Sequence, residues 1–133
     1  MESQGFRLEE RAFFAAEERS VGLARRWMRK VLDGHPRVDD AVCLLSETVT
    51  NAVVHTRSEV IGVVLVEDGG ELVVEVVDEG AGSVPVACRH VAGGMAEGGR
   101  GIVLVRALSA RWGFFQEGAR CVVWFVLAGD EGG

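Results

Sequence analysis

The chain is short of positive charge: 14 Lys and Arg stand against 20 Asp and Glu, giving a net charge of −6 and a pI near 5.1. A nucleic-acid binder draws its affinity from basic residues that neutralise phosphates. Direct nucleic-acid binding is therefore disfavoured, and an acidic enzyme or protein-binding module is expected. Cysteine is scarce as well. Cys43, Cys88 and Cys121 are odd in number and far apart, with no Cys-x-x-Cys pair, so there is no ligand spacing for zinc or a redox centre. Three reduced structural thiols are expected. The N-terminus, Met1-Glu2-Ser3-Gln4-Gly5-Phe6-Arg7, lacks the apolar core of a signal peptide. No apolar run reaches the roughly 18 residues of a membrane span. A cytoplasmic protein without membrane association is expected, and the sequence has no internal repeat.

What is present suits one core. The 133 residues, 48% of them apolar, fall within the roughly 100 to 200 residues of a single domain, taken as 1–133. Residues 6–14 mix charge with Leu8, Phe13 and Phe14 and fit an edge strand, although Glu9-Glu10-Arg11-Ala12 would also tolerate a helix. From about 18 to 32, Leu23, Trp27 and Val31 recur every four residues beside Ala24 and Met28, the pattern of an amphipathic helix ending before Gly34 and Pro36. Arg25, Arg26, Arg29 and Lys30 fall mostly on its outer side, either as a solvated face or as a docking patch.

A second helix is expected over 38–55, with Asp39 and Asp40 near its positive N-terminal end. Ala41, Leu44, Leu45, Thr48, Ala52 and Val53 can face a core, whereas Glu47, Asn51 and His55 form a polar stripe at four-residue spacing. Such a stripe on an otherwise apolar helix needs water or a ligand. Two β-rich runs follow, 60–66 and 71–77, separated by Glu67-Asp68-Gly69-Gly70, a hairpin signal. Residues 83–99 have little periodicity and four glycines, as a loop or lid would. An apolar helix is expected over 102–110, strands over 112–115 and 121–127, and a frayed tail over 129–133. Helices before and between pairs of strands give an antiparallel-rich sheet covered by helices on one face, an α+β sandwich.

Three motifs carry chemistry. Asp78-Glu79-Gly80-Ala81-Gly82 follows a strand directly; the carboxylate of Asp78 can accept a hydrogen bond from an exocyclic amine while Gly80 and Gly82 let a flat base approach. Alone, the same residues also make an ordinary acidic turn. Gly98-Gly99-Arg100-Gly101 precedes the apolar helix, and helix N-termini attract phosphates, with Arg100 adding charge-assisted contacts. Alone, it is also a linker. It matches neither the Walker A pattern nor a full Rossmann fingerprint. On the second helix, Asn51 can coordinate Mg²⁺ through its amide oxygen, since magnesium prefers oxygen ligands and keeps several waters while bridging phosphates. Glu47, one turn away, is then free to orient or deprotonate a hydroxyl attacking a γ-phosphate. His55 is read as a structural residue at the helix end.

Taken in order, the motifs resemble those of the anti-sigma-factor serine kinases, within the superfamily of gyrase, heat-shock chaperone, histidine-kinase and mismatch-repair ATPases. Ser46-Glu47-Thr48-Val49-Thr50-Asn51-Ala52-Val53 is similar to the family's N box, Asp78-Glu79-Gly80-Ala81-Gly82 to its first glycine box, and Gly98-Gly99-Arg100-Gly101-Ile102 to its second. The resemblance covers nearly the whole chain. It implies the Bergerat fold, a two-layer α+β sandwich with a mixed, mostly antiparallel sheet and an ATP lid over about 83–100. It also implies ATP and Mg²⁺ as ligands, Glu47 as catalytic base, Asn51 as metal ligand, Asp78 as adenine contact, and Gly98, Gly99, Arg100 and Gly101 near the phosphates. The partners it implies are a sigma factor, an anti-sigma antagonist phosphorylated on serine, and a second copy of the chain. The chain departs from the family's pattern at Ala119-Arg120-Cys121-Val122, where a Gly-Thr pair often precedes the final strand, which implies either heavier reliance on Asp78 for adenine or weaker ATP binding. A sensor histidine kinase is not expected, since no upstream dimerising helix with a phosphoacceptor histidine is present, nor is a gyrase-like or chaperone ATPase, since no transducer domain follows. Two readings remain: a protein-serine kinase, or a non-catalytic module that exchanges partners according to nucleotide state.

Overall fold

The computed structural model describes residues 8–55, 59–78, 110–118 and 120–128. In chain order these form β1 (Leu8–Ala15), α1 (Ser20–Val31), α2 (Val38–His55), β2 (Val60–Asp68), β3 (Glu71–Asp78), β4 (Ala110–Glu117) and β5 (Arg120–Ala128). The strands make one sheet in the order β1-β2-β3-β5-β4, and every neighbouring pair is antiparallel. The two helices lie on one of its faces. Alternate residues of the three central strands, Ile61, Val63 and Leu65, Leu72, Val74 and Val76, and Cys121, Val123, Phe125 and Leu127, share one core with Ala24, Met28 and Leu32 of the α1 segment and with Leu44, Leu45, Val49 and Ala52 of α2. Period-two burial on the strands and helical-period burial on α2 thus meet in a single layer.

Of the region 6–14, open between strand and helix in the sequence, the described residues 8–14 belong to a strand at the sheet edge. Leu8, Ala12 and Phe14 are its better-buried residues, while Glu9, Glu10 and Arg11 are exposed, as befits an edge that must resist pairing with other chains. In the β2–β3 hairpin, Asp68 pairs with Glu71. Gly69 and Gly70 between them take φ of 58° and 87°, the left-handed angles that a two-residue turn requires. The expected strand over 112–115 extends to the whole of Ala110–Glu117. Ala110 therefore belongs to β4 rather than to the expected helix, whose other residues lie outside those described, as do the expected lid and tail.

The buried line of α1 differs from the expected one. Ala24 and Met28 are fully buried and Leu32 is 2% exposed, whereas Leu23 is 41% exposed. The line that points into the core is Ser20-Ala24-Met28-Leu32. Trp27 and Val31 flank it, and Trp27 meets Phe14 of β1 edge-to-face with ring centroids 6.1 Å apart. The thiols also depart from expectation: Cys43 is free and exposed, but Cys121 is disulfide-bonded. Cys88 lies outside the described residues.

The link between α1 and α2 is tied to the sheet. The backbone N–H of Arg37 donates to His35 Nδ1 at 2.9 Å. That fixes the tautomer, so His35 Nε2 carries the proton it donates to Glu67 at 3.0 Å. Arg37 donates to Asp40 at 3.0 Å and to the carbonyl oxygen of Ala128 at 2.6 Å. Glu67 and Ala128 stand at the same end of the sheet, since Glu67 pairs with Leu72 and Ala128 with Glu71. α2 therefore starts at that end. Its 18 residues rise about 27 Å, and after His55 only residues 56–59 lead to Val60, next to the Ile61–Asp78 pair. α2 spans the sheet from the Glu67 end to the Asp78 end. Among the described residues no helix is long and apolar enough to cross a membrane.

Met28→Ala should lower unfolding free energy by about 2 to 5 kcal/mol through lost burial and a cavity, and Leu23→Ala by less than about 1 kcal/mol. Urea denaturation of the two variants checks which line of α1 faces the core.

Candidate functional site

The site begins where β3 ends. Asp78 belongs to the series Leu72, Val74, Val76, Asp78, whose side chains face the helices, and it is 2% exposed. Among the described residues it is the one buried charged side chain; the other buried polar residues are Ser20 and Thr48. Thr48 resolves its own burial by donating from Oγ1 to the Leu44 carbonyl oxygen at 2.7 Å. A carboxylate is an acceptor with several lone pairs, and its place at the strand end suits recognition of a donor such as an exocyclic amine. Directly across the β3–β5 ladder from Asp78 is Cys121, with Val122 opposite Val77. The departure from the family's threonine therefore lies beside Asp78. As a disulfide sulfur, Cys121 has no proton to donate to a base.

Glu47 and Asn51 both lie on α2, one turn apart and half-buried. Asn51 is in the last turns of the helix, the part that the fold brings to the Asp78 end of the sheet. Its Nδ2 is buried and has no hydrogen-bond partner. A buried amide left unsatisfied costs about 1 to 3 kcal/mol, and turning the amide end for end would direct Oδ1 to the same place. A cation or phosphate-bound ligand there would resolve the orphan. Among the described residues no group of His, Cys, Asp and Glu could hold a metal by itself. A single neutral amide oxygen fits Mg²⁺, which takes most of its ligands from phosphates and water. Sequence spacing put Glu47 and Asn51 on one face, and the fold brings the Asn51 end of that face towards Asp78. Gly80, Gly82, Gly98, Gly99, Arg100 and Gly101 lie outside the described residues.

A groove of about 540 Å³ opens between α1 and α2, and Glu47 forms part of its wall together with Arg25, Arg29, Asp39, Cys43 and Ser46. Arg29 bridges it to Asp39 at 2.9 Å. The sequence signal for this groove was the four-residue spacing of Asp39, Cys43 and Glu47, facing Arg25 and Arg29 at the same spacing. Charge on α1 was visible; its juxtaposition with Glu47 was not.

The described residues form a helix-covered antiparallel sheet with a buried carboxylate at a strand end. Residues 14–127 match the histidine kinase-like ATPase domain, and the chain belongs to that family. ATP binding goes with this membership. No individually curated protein matches the chain.

Asp78→Asn should weaken ATP binding by about 1.5 to 3 kcal/mol, or roughly ten- to a hundredfold. Titration calorimetry that finds unchanged affinity would remove Asp78 from the adenine site. Asn51→Ala should leave the ligand-free protein at least as stable as before, because the deleted amide nitrogen has no partner to lose and its burial cost goes with it. The same variant should lose the magnesium dependence of ATP affinity, read by repeating the titration with and without the metal.

Proposed function

We propose that the chain is an ATP- and Mg²⁺-dependent protein-serine kinase of the anti-sigma-factor type, which binds a sigma factor and phosphorylates an anti-sigma antagonist protein. The observation that carries the reading is the pairing on α2 of half-buried Glu47 with Asn51, whose buried Nδ2 has no partner. Glu47 is not required as a metal ligand and is available as a base. It accepts the proton of the substrate serine while the serine Oγ forms a bond to the γ-phosphorus. The bond from that phosphorus to the bridging oxygen breaks, and its electron pair stays with ADP. Asn51 would hold Mg²⁺ through its amide oxygen, and a bound ion would supply charge neutralisation of the phosphates. Asp78 accepts a hydrogen bond from the adenine amine, Gly80 and Gly82 admit the ring, and Gly98, Gly99, Arg100 and Gly101 attend the phosphates. The proposed protein is cytoplasmic and works as a homodimer with protein partners, without direct contact to nucleic acid or membrane.

A second reading draws on Cys121. With no hydrogen on the sulfur beside Asp78, adenine loses a donor, and the domain could act by nucleotide-dependent partner exchange without transfer. Glu47→Ala separates the two. On the kinase reading it leaves Mg-ATP binding largely intact and abolishes phosphoserine formation on the antagonist, because a base acts on the chemical step. Transfer continuing at the original rate would require another base, and no transfer from the unmodified protein to any candidate antagonist would favour the exchange module.

A further inference from the structure

Glu47 faces two ways: along α2 towards Asn51, and into the groove between α1 and α2. A base can act only on a hydroxyl it touches, and a serine on another protein must reach it from outside the helix layer. Glu47 is part of the groove wall. Along α2 the groove is walled by Asp39, Cys43 and Glu47, eight residues of helix or about 12 Å, which accommodates about four residues of extended chain.

Its opposite wall is positive in a chain whose net charge is −6. Arg25 is exposed and makes no ion pair among the described residues, and the same holds for its neighbours Arg26 and Lys30. Arg29 pairs only with Asp39, across two side chains that are 51% and 83% exposed. An ion pair so open to water is weak and exchangeable. Two arginines one turn apart, one uncommitted and one loosely held, favour carboxylates on whatever enters. We propose that this groove docks an extended acidic stretch of the protein substrate: Arg25 and Arg29 pair with carboxylates flanking the phosphoacceptor serine and so present that serine to Glu47. The assignment rests on the kinase reading, but it concerns docking rather than transfer.

The test uses the full chain and two fluorescent peptides, one with a serine flanked by aspartates and an otherwise identical one with asparagines in their place. Anisotropy should show the acidic peptide binding more tightly, and the preference should fade at high salt. The double variant Arg25→Glu/Arg29→Glu should weaken acidic-peptide binding about tenfold or more, while Arg111→Glu on β4 should not. ATP affinity of the double variant should match that of the unmodified protein, which shows that it is folded and that these arginines do not serve the nucleotide. Equal binding of both peptides, no binding of either, or unchanged affinity in the double variant would overturn the groove assignment. Phosphoserine is read separately by mass spectrometry in the same mixtures. Selective, arginine-dependent binding without transfer keeps the groove and removes the kinase reading; equal transfer to both peptides does the reverse.

Discussion

The arrangement depends on α2 lying across the sheet as a rod held at both ends. At its start, His35 and Arg37 tie the preceding link to Glu67 and Ala128; at its finish, the chain has only residues 56–59 in which to enter β2. Between these points Leu44, Leu45, Val49 and Ala52 are fully buried against the sheet, so rolling the helix would lift its apolar stripe into water at roughly 25 cal/mol per Å². The azimuth of Glu47 and Asn51 is set by that burial, without a direct tie on either side chain. A helix thus fixed by its core face can carry an unsatisfied amide on its polar edge, because the packing that orients Asn51 does not use the amide.

The sheet plays the complementary part. The antiparallel ladders end Asp78 beside Cys121 and Ile61, with the carboxylate turned to the helix side and almost fully buried. The opposite face is apolar as well, with Val64, Val66 and Val73 half-buried. Two glycines on that face are covered by rings: Phe13 lies over Gly62, and Trp124 lies so close over Gly113 that a Cβ there would stand 2.6 Å from its ring. These covers stiffen the strands from behind, where a glycine in mid-strand would otherwise leave a gap. Rigid backing matters for any site built on a strand-end carboxylate, since its position is only as fixed as the strand that carries it.

The fold was legible wherever a segment had one clear period. The bounds of α2 follow from an acidic first turn and an unbroken helical pattern, and those of β2 and β3 from two β-branched runs around the Gly69-Gly70 turn. Where two apolar lines ran side by side, on α1, spacing alone could not choose between them: Leu23, Trp27 and Val31 are the larger residues, but small Ala24 lets the helix approach and the line through Met28 and Leu32 faces inward. β1 was ambiguous for a different reason, because an edge strand has only half a face to bury and keeps charges on the rest. Of the candidate site, Glu47, Asn51 and Asp78 are proposed from residue type and spacing, since the chemistry of a carboxylate or amide does not depend on the fold. Their approach to one end of the sheet could not be read that way, because it depends on which way α2 crosses.

The same crossing accounts for the groove. Because α2 is fixed by its core face, its polar edge must be shared between what lies towards the sheet end and what lies towards α1. Asn51 has the first position, in the last turns. Glu47, one turn earlier, forms part of the α1–α2 wall. Moving the carboxylate one turn back, to Cys43, would leave it in the groove but about 6 Å farther along the axis from the amide. Moving it one turn on would replace the amide itself. At this spacing one position on α2 borders both surfaces, and it is the position occupied by Glu47. On the proposed kinase reading, a base that must meet a nucleotide held inside the domain and a hydroxyl arriving from outside has to stand on such a border.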